Sequence, residues 1–110
     1  MLSMLDQRPK TAEAYAELVR QALFEVEELR AAVEYDMEFM GGALEFLDEL
    51  EGQVRALFQS MVDGTYRFDD RDLPFMRLIE RADDRMLPFK DLLKVINATH
   101  RQGLAVDEAD

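Results

Sequence analysis

The sequence predicts an all-α helical bundle with a long N-terminal helix and two shorter C-terminal helices. Apolar residues recur every three or four positions along the first half of the chain, a spacing typical of helices that strand alternation does not fit. The chain has 110 residues, 48% of them hydrophobic, which suffices for one buried core. We therefore expect a single helical domain over 1–110, with a loose N-terminal arm over 1–10 and a frayed acidic tail over 104–110.

The first helix is predicted to begin after Thr11. A threonine at this position is a good N-cap, and Glu13 suits the positive end of the helix dipole in the first turn. A heptad stripe follows and marks the face that should be buried. It consists of Tyr15, Val19, Ala22, Val26, Leu29 and Val33.

The glycine pair Gly41-Gly42 permits two arrangements of the first half. A second stripe continues in phase beyond it, with only Asp36 out of character, and consists of Met40, Ala43, Leu47, Leu50, Val54, Leu57 and Met61. Because a turn has no reason to preserve register, we favour one helix from about 12 to 62, bent at the glycines. Asp36 would then either specify the register of the seam or lie in water beside it. The alternative is an antiparallel hairpin with a tight Gly-Gly turn.

The second half begins with a predicted stop at Asp63-Gly64, since glycine commonly ends helices. Residues 65–68 are expected to be extended. Asp70 or Asp72 is expected to cap the next helix, with Pro74 in its first turn.

Two similar segments follow in the second half. Residues 71–79 and 85–93 both read R-x-L-P-F-x-x-L, followed by an aliphatic residue. We interpret them as two similar helix starts, each with an early proline and with a phenylalanine and two aliphatic residues facing the core. The last helix should run to about His100, with Gly103 as its C-terminal stop.

The acidic composition argues against several classes of partner. The formal net charge is −11, whereas affinity for nucleic acid comes largely from neutralising phosphates, so no nucleic-acid partner is expected. An acidic surface repels anionic lipid, and no apolar run approaches the ~18 residues of a membrane span. The chain has no Cys, and its start has no signal-like leader, so we expect a cytoplasmic protein.

No residue pattern indicates catalysis, a cofactor or a metal. His100 is the only histidine, and Asn97 stands where a di-iron Glu-x-x-His motif needs glutamate. Gly41-Gly42 lacks the spacing of a phosphate-binding loop. We expect no enzyme, and interpret His100 as a cation or polar group near a helix C-terminus.

Arginines at 77, 81 and 85 recur every four residues. On a continuous helix, Arg77, Arg81 and Arg85 would form a basic stripe able to bind an anion or an acidic partner. We favour pairing within the chain, with Glu80, with Asp84 or with the acidic stretch 25–51, which holds ten acidic residues against the single base Arg30.

The strongest indication of self-association is a second apolar face on the first helix. Phe24, Ala31, Tyr35 and Phe39 fall opposite the heptad stripe at 100° per residue, and Glu28 interrupts this apolar face. A helix that is apolar on two sides must bury both, and two short helices cannot easily cover the second. A homodimer is the economical solution, with Tyr35 and Phe39 as an aromatic pair that either forms the interface or is covered within the chain.

These features predict a non-catalytic interaction protein, an adaptor, chaperone or regulator that acts as a homo-oligomer, with another protein as its further candidate partner. The alternative is a small-molecule-binding bundle with a cavity lined by Met and Phe. A cavity of several hundred cubic ångströms with inward polar groups would favour the ligand, and an exposed apolar groove would favour a protein partner.

Overall fold

A computed structural model describes residues 7–35, 42–83 and 85–105 of the chain. This part contains four α-helices: α1 (Ala12–Tyr35), α2 (Gly42–Asp63), α3 (Phe75–Glu80) and α4 (Lys90–Gln102). No described residue lies in a β-strand, so the predicted all-α bundle is confirmed. None of these helices is long and apolar enough to cross a bilayer.

Helices α1 and α2 pack side by side and run in opposite directions. The guanidinium of Arg55 lies 2.7 Å from the carboxylate of Glu27, and Arg30, further along α1, contacts Glu51, earlier on α2, at 3.6 Å. Later residues of α1 therefore face earlier residues of α2. The favoured single helix from 12 to 62 is wrong, and the antiparallel hairpin is the arrangement that the chain adopts.

The in-phase spacing across the glycine pair was misleading for a geometric reason. The number of residues that connect two helices can keep their apolar stripes in phase by coincidence. In the hairpin the two stripes face each other, so each buries the other. Asp36, Phe39, Met40 and Gly41 lie outside the described residues, so the expectations for Asp36 and for a tight Gly-Gly turn concern that part of the chain. Gly42 is the first residue of α2.

Both predicted stripes form the core. Leu29, Val33 and Met61 pack against it from a partly buried position. The remaining members, apart from Ala43 and Met40, are buried: Tyr15, Val19, Ala22, Val26, Leu47, Leu50, Val54 and Leu57. The hydrophobic effect thus acts along the whole α1–α2 contact.

The predicted helix ends are also confirmed. The Thr11 hydroxyl accepts a hydrogen bond from the Ala14 amide at 3.0 Å, which satisfies one amide that the first turn of α1 leaves open. Helix α2 ends at Asp63, and Gly64 has a φ of 78°. Gly103 ends α4 with a φ of 89°, and both angles lie in the region that glycine adopts most readily.

The repeated segments give two helix entries of similar design. Leu73 and Phe75 are buried at the start of α3, and Leu87 and Phe89 are buried just before α4. The predicted cap by Asp70 or Asp72 is wrong, because Pro74 occupies the N-cap position of α3 without a side-chain hydrogen bond.

The two ends of the described chain lie against each other. The Arg8 guanidinium donates to the Gly103 carbonyl at 2.9 Å, and the Ala105 amide donates to the Pro9 carbonyl at 2.9 Å. These bonds connect the described portions of the segments predicted to be an N-terminal arm and a C-terminal tail.

Candidate functional site

The outer face of α1, formed by Phe24, Ala31 and Tyr35, is exposed. Phe24 is 53% exposed to solvent and Tyr35 is 91% exposed, and Ala31 is exposed as well. At 1.5 Å per residue, Phe24 and Tyr35 are about 16 Å apart along the helix. The C-terminal helices leave Tyr35 uncovered, so that alternative is wrong for this residue. The fourth candidate, Phe39, lies outside the described residues.

An apolar groove runs between the end of α1, the start of α2 and the turn before α4. Its volume is about 640 Å³, within the range of small-molecule sites. Asp83 and Arg85 are its charged members, and Met86 is the single Met or Phe among the described residues that line it. The other lining residues are Leu29, Ala32, Val33, Ala43 and Leu47.

The arginine cleft, lined by Arg71, Arg77 and Arg81, lies between α2 and α3. Its volume is about 660 Å³. Arg77 lies on α3 and Arg81 is the C-cap residue of that helix, whereas Arg71 precedes it in the chain. Sequence analysis missed Arg71, because only the fold brings the connecting segment beside α3.

Arg85 does not join the other two predicted arginines. Helix α3 ends at Glu80, so the four-residue spacing no longer places successive arginines on one face. Arg85 lines the apolar groove instead, and its exposed guanidinium lies 3.8 Å from the Asp83 carboxylate. The predicted basic stripe of three residues is therefore wrong, because it assumed a helix longer than the chain forms.

A buried chain of hydrogen bonds connects α1, the α2–α3 connection and α4. The Tyr15 hydroxyl donates to the Ile96 carbonyl at 2.9 Å and lies 3.2 Å from the Tyr66 hydroxyl. The Tyr66 hydroxyl lies 2.7 Å from Nδ1 of His100.

The number of hydroxyl protons decides which group donates in each of these hydrogen bonds. Because the single Tyr15 hydroxyl proton goes to Ile96, Tyr15 can only accept from Tyr66. Tyr66 then has no proton left for His100, so His100 Nδ1–H must donate to Tyr66. All three bonds are satisfied together when His100 carries a proton on Nδ1.

Burial affects the titration of these groups. It raises the pKa of Tyr15 and that of Tyr66. Burial lowers the pKa of His100, against a smaller opposing effect of Asp69. His100 is thus a buried polar group in the last turn of α4, which is one of the two roles expected for it, and burial favours its neutral form.

Asn97 holds the connection before α3 against α4. Its side-chain oxygen accepts from the Leu73 amide at 2.7 Å, and its Nδ2 donates to Asp72 at 2.9 Å. This bond and the nearby Arg101 lower the pKa of Asp72. Sequence analysis noted Asn97 only as the residue that rules out a di-iron motif, and no local pattern marks its structural role.

The part of the chain that the structure describes contains no group of three or more His, Cys, Asp or Glu placed to hold a metal ion. Comparison with protein-family models, with curated proteins and with solved structures finds no match to this chain. The outer face of α1, the apolar groove and the arginine cleft are therefore assessed on their own chemistry.

Proposed function

We propose that this protein is a non-catalytic interaction protein that acts as a homo-oligomer, with the outer face of α1 as its contact surface. The observation on which this rests is the exposure of two aromatic residues, Phe24 and Tyr35, on one face of a helix whose opposite face is buried. Aromatic anchors with a polar surround are typical of interface hot spots.

The order of residues on this face suits a two-fold antiparallel pair of α1 helices. Such a pair can seat Phe24 over Ala31 of the second copy, because alanine leaves room for a large neighbour. The same register brings Tyr35 to Arg20 of the second copy, where a guanidinium can lie on the aromatic ring. Each contact occurs twice, as two-fold symmetry requires.

The mass of the protein in solution tests this proposal. We expect light scattering at micromolar concentration to give a multiple of the 12.7 kDa chain mass. The double variant Phe24→Ser with Tyr35→Ser should be a monomer with unchanged helicity, because both side chains are exposed within the chain.

Val62→Ser is the matched control. Val62 is 63% exposed but lies on α2, so its replacement should leave the oligomer intact. A wild-type mass of 12.7 kDa, or an equal loss of association in the control, would contradict the proposal.

A second candidate function is the binding of an apolar small molecule in the groove lined by Leu29, Val33 and Met86. Its volume of about 640 Å³ and its mostly aliphatic lining favour this candidate. Ala32→Phe should fill the groove and abolish binding of an apolar fluorescent dye, whereas Ala56→Phe on the exposed face of α2 should not.

A further inference from the structure

Arg77 and Arg81 lie one helical turn apart and lack ion-pair partners among the described residues. No described carboxylate lies within 4.0 Å of either guanidinium. Among the described residues, the expected pairing within the chain is thus not found for Arg77 or Arg81, and Asp84, one of the expected partners, lies outside them. Their neighbour Arg71 lies 4.0 Å from Asp69, at the limit of an ion pair, and is 86% exposed.

The other arginines on the helices behave differently. Each of them has at least one carboxylate partner. The pairs are Arg20 with Glu17, Arg30 with Asp48 and Glu51, Arg55 with Glu27 and Glu51, and Arg101 with Asp70 and Asp72. With 24 acidic residues against 13 basic ones, partners are plentiful in this chain. Two adjacent unpaired arginines that line one concave site are therefore a distinct feature of the surface.

Two of the three acidic residues that line the described cleft accept hydrogen bonds from neighbouring side chains. Asp72 accepts from Asn97 at 2.9 Å and from Arg101 at 3.1 Å, and Glu49 accepts from Gln53 at 3.4 Å. Glu80 has no such partner among the described residues, and it is the acid in this cleft that opposes a bound anion most directly.

Apolar surface completes the cleft. Pro74 is exposed and Met76 is half-buried, and both line the cleft beside the arginines. A guanidinium presents a planar fork that matches carboxylate and phosphate oxygens, and two of them can neutralise about two negative charges. Pro74 and Met76 can in turn cover an apolar group attached to that anion.

We propose that the arginine cleft is a binding site for a small molecule that joins a doubly charged oxyanion, a phosphate monoester or a dicarboxylate, to an apolar group. Arg77 and Arg81 bind the oxyanion, and Pro74 and Met76 contact the apolar group. The concave shape and the volume of about 660 Å³ favour a small molecule over the flat surface of a protein partner. This site is separate from the outer face of α1 and does not depend on self-association.

Calorimetric titration of the full chain with phenyl phosphate and with inorganic phosphate tests the proposal. Phenyl phosphate should bind saturably and more tightly than inorganic phosphate. Arg77→Gln with Arg81→Gln should weaken phenyl phosphate binding at least about tenfold, because each guanidinium supplies charged hydrogen bonds to the anion. Glu80→Gln should strengthen it about two- to threefold, because it removes a nearby negative charge.

Two controls distinguish specific binding in the cleft from nonspecific electrostatic attraction by the rest of the surface. Lys10→Gln with Arg67→Gln makes the same change in net charge at two exposed residues outside the cleft, and it should alter the affinity less than twofold. Glu13→Gln, on the exposed first turn of α1, should likewise have no effect. Circular dichroism should show unchanged helicity for all four variants, because the replaced side chains are exposed.

Met76→Ser tests the apolar contact. It should reduce the preference for phenyl phosphate over inorganic phosphate, while the affinity for inorganic phosphate stays the same. The proposal is overturned if wild-type protein shows no saturable binding, or if the control pair of changes at Lys10 and Arg67 weakens binding equally. It is also overturned if a glutamate-rich peptide binds through Arg77 and Arg81 and phenyl phosphate does not, since the cleft would then be a protein-docking surface.

Discussion

The α1–α2 hairpin and the segment from Tyr66 to Gln102 differ in where their polar side chains lie and in what they bind. Between α1 and α2 the buried contacts are aliphatic, and the ion pairs of Arg30 and Arg55 lie at the exposed edges. In the second half, buried polar side chains bind backbone groups directly. Asn97 accepts from the Leu73 amide, and Thr99 donates to the Val95 carbonyl at 2.8 Å.

Helices and the connection between them are stabilised by different interactions in this molecule. Two long helices satisfy their own backbone groups and need only complementary apolar stripes to pack. In the connection over 65–73, the Thr65 and Tyr66 amides bond to the Ser60 carbonyl, and the Asp69 amide bonds to the His100 carbonyl. The Leu73 amide is instead bonded by a side chain, that of Asn97 on α4. This irregular segment thus depends on partners in α2 and α4 for its backbone amides.

The largest expected effect is the loss of apolar packing in the hairpin. Leu50 is fully buried, so Leu50→Ala should lower the free energy of unfolding by about 2–5 kcal/mol through lost transfer energy and a residual cavity. Urea unfolding followed by circular dichroism measures this change. Val62→Ala on the exposed face of the same helix should cost less than about 0.5 kcal/mol, and equal losses would contradict the assignment of the core.

A smaller effect is expected from the polar anchor of the second half. Asn97→Ala leaves the Leu73 amide without its acceptor, which should cost about 1–3 kcal/mol in the same urea experiment. Asp72→Ala removes an exposed partner of Asn97 and of Arg101 and should cost less, because the Leu73 amide keeps its acceptor. If both variants lost the same stability, the contribution of Asn97 would come from its contact with Asp72, and the bond to the Leu73 amide would contribute little.

The smallest effect concerns the pH dependence of the second half. Burial lowers the folded-state pKa of His100 below its unfolded value of about 6.5, so the folded protein favours the neutral ring. This stabilising contribution is complete above the unfolded pKa and declines as the pH falls from about 6.5 towards the lowered folded pKa. The bond from Nδ1–H to Tyr66 persists in the protonated ring, which limits the loss.

Unfolding of the wild type and of His100→Asn at pH 7.5 and pH 5.5 measures this contribution. Asparagine retains a donor near the Nδ1 position but does not titrate, so its stability should fall less over this range. Glu17 and Asp72 have lowered pKa values, and their contributions are lost at more acidic pH. An identical decline in both proteins would remove His100 from the explanation.

The candidate sites were predictable to different degrees. The exposed face with Phe24 and Tyr35 follows from angular position on one helix, which depends only on sequence spacing. The arginine cleft does not, because Arg71 and Arg77 come together through a connection that spacing cannot trace. The separation of Arg85 likewise required knowledge of where α3 ends.

The sequence by itself determined the helical class, both apolar stripes and the helix ends at Thr11, Gly64 and Gly103. These features follow from local periodicity and from the conformational preferences of single residues. Only the tertiary structure decided that α1 and α2 form a hairpin, and that Tyr66 and Asn97 hold the second half together. Helical spacing describes which face of a helix is apolar, but the choice of the surface that covers it depends on contacts between residues distant in the chain.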